Sequence, residues 1–184
     1  MNVFLDGETI YLRPLEHDDL DLFWQWFADR EVVKYSMGIW IFPYSKADTL
    51  EWLEQTIRDK RVLSLGIVEK ATDRLIGYAG ITSISAINRA GEYYLFIGDK
   101  QSWGKGYGTA ATRLIVNYGF LSLNLNRIML TVFSSNTGAL RVYAKAGFKE
   151  EGIMRQACYR DGAYHDSVVM SILRPEWEEM QAKR

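Results

Sequence analysis

The run Gln101-Ser102-Trp103-Gly104-Lys105-Gly106-Tyr107-Gly108-Thr109-Ala110 is where residue types and spacing most clearly allow chemistry. Three alternating glycines stand between a strand-like stretch and a helix-like one. Glycines let backbone N–H groups converge, and the start of a helix favours negative charge, so the segment should hold an anion. Lys105 adds a formal positive charge, and phosphate or diphosphate is the expected ligand. Two nucleotide motifs fit poorly. A Walker A loop needs G-x-x-x-x-G-K-[ST], but Gly106 follows Lys105 and no glycine stands five before Gly104. A dinucleotide fingerprint needs a glycine where Thr109 stands, and no acidic residue closes the next strand near Phe133. For the glycines alone, a tight turn without ligand is the competing reading.

The elements that must carry this loop follow from periodicity. Thr9–Leu12 reads as a strand stopped by Pro14. Asp18 and Asp19 are placed to cap a helix through Phe27, with Leu22, Phe23, Trp26 and Phe27 at helical spacing. Ser45 and Asp48 form a capping-box pattern ahead of Leu50, Leu53 and Ile57. Val62–Glu69 and Leu75–Ile84 read as a hairpin about Thr72-Asp73. Glu92–Ile97 is a strand into the glycine loop, and Ala111, Leu114, Ile115 and Tyr118 mark the helix beyond it. Arg127–Phe133 is a strand, and Asn136–Ala146 a helix ended by Gly147. Lys149–Arg155 and Tyr164–Leu173 form a last strand pair, and Pro175 opens a terminal helix. The expected fold class is α/β, a mixed and mostly antiparallel sheet flanked by helices, as one domain over residues 1–184.

Composition narrows the function. The 184 residues are 48% hydrophobic and 14% aromatic, enough for a sizeable core. A net charge of -1 argues against nonspecific nucleic-acid binding, which needs several phosphates neutralised. One cysteine and two histidines exclude a disulfide framework and a zinc site built from Cys and His alone, and no metal is expected. Asp6, Glu8 and Arg13 interrupt the opening stretch, so it does not read as a signal peptide. The densest apolar run, Met37 to Phe42, is too short to span a bilayer. A cytoplasmic setting is expected, with the chain as monomer or homodimer.

A second block strengthens the case for a ligand: Asn136-Thr137-Gly138-Ala139-Leu140-Arg141-Val142-Tyr143-Ala144-Lys145-Ala146-Gly147-Phe148, followed by Glu151-Gly152. Together the two blocks resemble the GNAT superfamily of N-acetyltransferases. The glycine run is similar to its acetyl-CoA diphosphate loop, [RQ]-x-x-G-x-[GA], in one of two registers. Either Gln101 leads Gly104 and Gly106, or Trp103 leads Gly106 and Gly108. The second block is similar to the family's N-x-x-[SA]-x-x-x-Y-x-x-x-G-F segment. Trp-Gly-Lys-Gly-Tyr-Gly-Thr, Tyr11-Leu12-Arg13-Pro14-Leu15 and Arg160-Asp161-Gly162 through Asp166 resemble the branch that acetylates ribosomal-protein N-termini. That branch favours the second register, with Trp103 where many relatives carry Arg or Gln.

The resemblance implies acetyl transfer from acetyl-CoA to a primary amine by direct attack in a ternary complex. It implies that the backbone of Phe96, Ile97 and Gly98 holds the pantetheine arm, beside a strand splayed from its neighbour. Gly104, Lys105, Gly106, Tyr107, Gly108 and Thr109 would hold the diphosphate, and Asn136 the cofactor arm. Tyr143 matches the general acid, a phenol opposite a thiolate whose conjugate acid has a pKa of ~8.5. Ala139, Val142, Tyr143 and Ala146 also make one helical stripe, so core packing is the competing role for Tyr143. Glu92 shares a strand face with Tyr94 and Phe96, where a carboxylate can take the amine's proton; a solvated strand-end charge is the alternative. His165 reads as structural beside Asp166, and Cys158 as an inert thiol.

For the acceptor, the resemblance points to the link between the first two helices, where Tyr35, Trp40, Phe42 and Tyr44 crowd together. Aromatic walls stack planar groups or grip apolar side chains, and they also cap cores. Asp29 and Glu31 can attract a cationic amine. A protein N-terminal α-amine is the leading acceptor. A small-molecule amine (polyamine, amino sugar or antibiotic) is the alternative, and a non-catalytic acyl-CoA-binding module is the rival from another class.

Overall fold

The computed structural model describes residues 2–36 and 42–183. Among the described residues eight strands form one sheet in the order β1-β2-β3-β4-β5-β6-β8-β7. They are β1 (Leu5–Asp6), β2 (Ile10–Pro14), β3 (Leu63–Glu69), β4 (Arg74–Ser85), β5 (Ala90–Ile97), β6 (Arg127–Phe133), β7 (Lys149–Arg160) and β8 (Ala163–Leu173). Among those residues five helices cover it: α1 (Leu20–Ala28), α2 (Lys46–Arg58), α3 (Tyr107–Leu121), α4 (Thr137–Ala146) and α5 (Arg174–Ala182). Every adjacent pair of strands is antiparallel except β5 with β6.

Local chemistry explains most of the boundaries. The Ser45 hydroxyl accepts from the Asp48 N–H at 3.1 Å, and the Asp48 carboxylate takes the Ser45 N–H at 2.8 Å, so α2 starts at the expected capping box. Gly147 closes α4 at φ 102°, and the Phe148 N–H returns to the Tyr143 carbonyl at 3.0 Å. Asp161 and Gly162, both at positive φ, make the tight turn between β7 and β8 and carry both strands further than their apolar pattern indicates. The start of α1 differs from expectation. A short 3-10 turn, His17–Asp19, precedes it, and Asp19 makes no cap bond to α1. Its carboxylate instead takes Arg13 at 2.7 and 2.9 Å and the Glu16 N–H at 2.9 Å, because a nearby guanidinium outcompetes a helix terminus.

Two cores sit on opposite faces of the sheet. Ile10, Leu12, Ile67, Ile81, Tyr93 and Ile128 face α3 and α4, joined by Ile115, Phe120 and Tyr143. Tyr11, Val68, Leu75 and Phe96 face the other way and meet Phe23, Trp26 and Phe27 of α1 and Leu53 of α2. Strand alternation accounts for both sets: Tyr93 lies on one face, Phe96 on the other. Near the centre the backbones approach closely. A Cβ at Gly98 would fall 2.0 Å from the Trp26 ring, so α1 rests directly on the end of β5.

Candidate active site

β5 and β6 begin as parallel neighbours but pair only over Ala90–Glu92 with Arg127–Met129. Beyond that rung β5 continues to Ile97 bonded to β4 alone, and β6 continues to Phe133 bonded to β8 alone. The result is a wedge opening inside the sheet, with Glu92 on its last closed rung. Backbone direction along β5 is set by its partner. The Gly98 N–H donates to the Ile76 carbonyl at 3.0 Å, and the Phe96 carbonyl lies against Gly77, where an added Cβ would come within 2.1 Å of it. In a strand the N–H and C=O of one residue point the same way and alternate with the next, so Leu95 and Ile97 turn their polar groups into the wedge. Of the three residues that the resemblance implied here, Ile97 faces the wedge, whereas Phe96 and Gly98 have their groups committed to β4. Leu95, which sequence reasoning did not single out, turns into the wedge with Ile97 because of its register with β4.

The glycine loop follows directly. A second 3-10 turn, Lys100–Ser102, is capped by Asp99, which accepts from the Gln101 N–H at 3.1 Å and the Ser102 hydroxyl at 2.8 Å. Gly104 and Gly106 take φ of 76° and 88°, a region that favours residues without Cβ. Gly106 then caps α3, and the first bond into the helix is Ala110 N–H to the Gly106 carbonyl. Consequently the N–H groups of Gly104, Lys105, Gly106, Tyr107, Gly108 and Thr109 have no acceptor among the described residues. That row of donors, at the positive end of a 15-residue helix, fits a diphosphate. Lys105 is exposed and forms no salt bridge among the described residues. The Tyr107 hydroxyl donates to Glu69 and ties the loop to the β3–β4 hairpin. Glu69 is held below its ordinary carboxylate value by the Thr72 and Tyr107 hydroxyls, with Lys105 contributing.

Tyr143 projects from α4 to the same side of the sheet. It is 7% exposed, and its ring meets Tyr93 edge-on at 6.0 Å between centroids. No described residue hydrogen-bonds its hydroxyl. Burial pushes this phenol above its ordinary pKa. Asn136 caps α4, its Oδ1 accepting the Ala139 N–H at 3.1 Å, which leaves the amide nitrogen for a ligand. Glu92 is half-buried on the opposite face, with no ion pair or hydrogen bond to its carboxylate among the described residues. An unpartnered carboxylate and an unpartnered phenol thus flank the wedge from its two faces.

The acceptor-side expectations divide. The Tyr35 ring tilts against Phe133 at 5.7 Å, and its hydroxyl donates to the Ser135 carbonyl at 3.3 Å, beside the mouth of the wedge. Buried Arg160 fastens this link by donating to the Lys34 and Ser36 carbonyls at 3.2 and 2.9 Å. Trp40 lies outside the described residues. Phe42 is 70% exposed and lines a cleft of about 380 Å³ with Tyr44, Asp48, Glu51 and Trp52. A neighbouring cleft of about 330 Å³ includes Trp52, Tyr78, Thr82 and Tyr94; Thr82 is the β4 partner of Glu92. Neither cleft is lined by the glycine loop, so both belong to the α2 side. Asp29 and Glu31 are not free for an amine, because Lys100 bridges them at 2.7 and 3.1 Å. The His165 ring reaches only the Arg160 carbonyl, at 3.4 Å, and Cys158 is buried against the Ser167 hydroxyl at 3.1 Å. Among the described residues no cluster could hold a metal ion, and no helix is long and apolar enough to cross a membrane.

The family model for the acetyltransferase (GNAT) domain matches residues 9–149. The chain belongs to the GNAT acetyltransferase family. Its relatives include the uncharacterized N-acetyltransferase p20 of Bacillus licheniformis, 33% identical over 92% of this chain and 96% of that protein. The spermidine N(1)-acetyltransferase of Vibrio cholerae is 30% identical over 93% of this chain and 96% of its own. YdaF of Bacillus subtilis, whose name assigns it provisionally to ribosomal N-acetylation, is 31% identical over 94% and 95%. Among solved structures, the Vibrio cholerae spermidine N-acetyltransferase in complex with CoA and spermine superposes with a TM-score of 0.83. That match is at 28% identity, over 94% of this chain and 99% of that one. The protein is therefore an N-acetyltransferase that uses acetyl-CoA as its acetyl donor.

Proposed function

We propose that this GNAT enzyme acetylates a primary amine at the apex of the β5–β6 wedge, with Glu92 as base and Tyr143 as acid. The observation that carries the reading is that Glu92, on the last closed rung, and Tyr143, edge-on to the neighbouring Tyr93, are unpartnered groups on opposite faces of β5. The Gly104–Thr109 amides and Lys105 hold the diphosphate, and the Leu95 and Ile97 edge lies along the pantetheine arm. The Ile97 N–H is aimed to stabilise negative charge developing on the thioester oxygen. Glu92 takes one proton from the attacking amine as the new N–C bond forms. Tyr143 gives its proton to the sulfur as the C–S bond breaks. Burial raises the phenol and keeps its proton in place until the C–S bond breaks.

Two acceptor classes are supported by different observations. The glycine run and the YdaF relative support a protein N-terminal α-amine. The carboxylates Asp48 and Glu51 among Phe42, Tyr44 and Trp52, and the spermidine-acetylating relative, support a small polycationic amine. Mass spectrometry of products from a panel of peptides and polyamines separates them. On the preferred acceptor, Tyr143→Phe is expected to lower kcat about 100-fold, while calorimetric affinity for acetyl-CoA stays within about threefold of wild type. Because burial holds the Tyr143 proton, kcat should show no alkaline limb below about pH 10. Glu92→Gln should lower kcat on the preferred acceptor about 100-fold, with acetyl-CoA affinity again largely kept. Acetyl-CoA binding without thiol release for every amine would instead establish a non-catalytic module.

A further inference from the structure

Trp103 immediately precedes the glycine run, and the structure gives its indole a specific task. Nε1–H donates to the Ile97 carbonyl at 2.9 Å, on the wedge side of β5. The peptide unit it holds, Ile97 C=O with Gly98 N–H, is gripped from the other end by the Ile76 carbonyl at 3.0 Å. The Trp26 ring lies on the Gly98 Cα, leaving no room for a side chain. This peptide therefore has little freedom to tilt. On its other side Trp103 is the residue before Gly104, the first amide of the phosphate loop. It closes a turn already fixed by the Asp99 bonds to Gln101 and the buried Ser102.

We infer that Trp103 is a positioning residue whose indole N–H sets the separation between the arm-facing edge of β5 and the diphosphate-holding loop. This rests on the proposed placement of the donor along both segments. A donor anchored at both ends needs them a fixed distance apart; a donor that touches only one does not. Loss of the tie should thus weaken acetyl-CoA and leave a truncated donor unaffected.

The test compares acetyl-CoA with acetyl-pantetheine, which keeps the thioester and arm but lacks the diphosphate and nucleotide. Trp103→Phe keeps the ring and removes the donor. For a lost hydrogen bond, the expected rise in KM for acetyl-CoA is about tenfold, with kcat within about twofold and the melting temperature within about 3 °C of wild type. With acetyl-pantetheine, kcat/KM should match wild type. Trp103→His returns a ring N–H at similar reach and should recover at least half of the lost affinity; it also keeps the test open if the Phe variant folds poorly. Equal losses with both donors, no loss with either, or no recovery in the His variant would overturn the inference. A wild-type protein that releases no thiol with any amine would overturn the acetyl-transfer reading itself, a distinct result.

Discussion

An added Cβ at Gly80 would lie 1.7 Å from the Leu63 carbonyl oxygen, whereas one at Gly104 or Gly106 would meet nothing within 4 Å. Both regions need glycine, for opposite reasons. At Gly80 the protein already fills the space, since β3 and the Tyr94 hydroxyl close over the backbone. At Gly104 and Gly106 the constraint is the left-handed backbone, and the volume in front of it belongs to no protein atom. At Gly80 the fold fills its own space, whereas at Gly104 and Gly106 the space stays open. The same division separates the amides. Those facing β4 are paired within the sheet, and those of residues 104–109 have no partner among the described residues.

That contrast can be broken most forcefully at Gly80. Gly80→Ala must displace backbone, and overpacking of this kind is expected to cost about 3 kcal/mol in urea unfolding. The folded fraction should still bind acetyl-CoA within about twofold of wild type. Gly106→Ala should invert the pattern. An alanine in the left-handed region is strained by about 1–2 kcal/mol, and a loop with open space relaxes away from it. Acetyl-CoA affinity should fall about tenfold, while the melting temperature drops by about 2–4 °C at most. A Gly106→Ala protein with full affinity and lost stability would erase the distinction.

A smaller effect probes a site far from both glycine groups. Arg127 and the Ser171 hydroxyl hold the Glu151 carboxylate, lowering its pKa from 4.5 to about 2. The bond joins β6, β8 and β7, the half of the sheet on the far side of the wedge. A folded-state value below the unfolded one means that the stabilisation is present above pH 4.5 and is lost as pH falls toward 2. Because the pair is partly exposed, its contribution should stay below about 1 kcal/mol. Glu151→Gln should flatten the acid side of the stability profile between those limits, and urea midpoints measured across the range check it. A flattened profile accompanied by weaker acetyl-CoA binding would show that the two halves of the sheet are coupled.

The sequence was legible where a feature is local. Ser45 with Asp48, Gly147 after Ala146, and the apolar run Arg127–Phe133 each define a boundary through neighbours a few residues apart. The two-residue strand β1 carries no such pattern, and the tail of β7 alternates too weakly to declare itself. At the candidate site, the turn of residues 104–109 into α3 and the place of Tyr143 on α4 were readable from local spacing. The orientation of the β5 amides was not, since it depends on which carbonyls of β4 they meet. The Trp103 brace and the capture of Asp29 and Glu31 by Lys100 depend on tertiary proximity. Aromatic crowding near Tyr35 and Phe42 was visible, yet among the described residues of that cluster Tyr35 alone is brought beside the mouth of the wedge.

Most sheets expose unpaired strand borders only at their two outer margins, where short strands or charges discourage sticking to other chains. Here a further pair of bare borders sits in the middle, because β5 and β6 part after Glu92. The proposed position of the donor runs along these borders and would cover them. Samples stripped of CoA should clump sooner on storage than loaded ones, even at equal folding stability, so donor supply would govern the shelf life of the protein as well as its turnover.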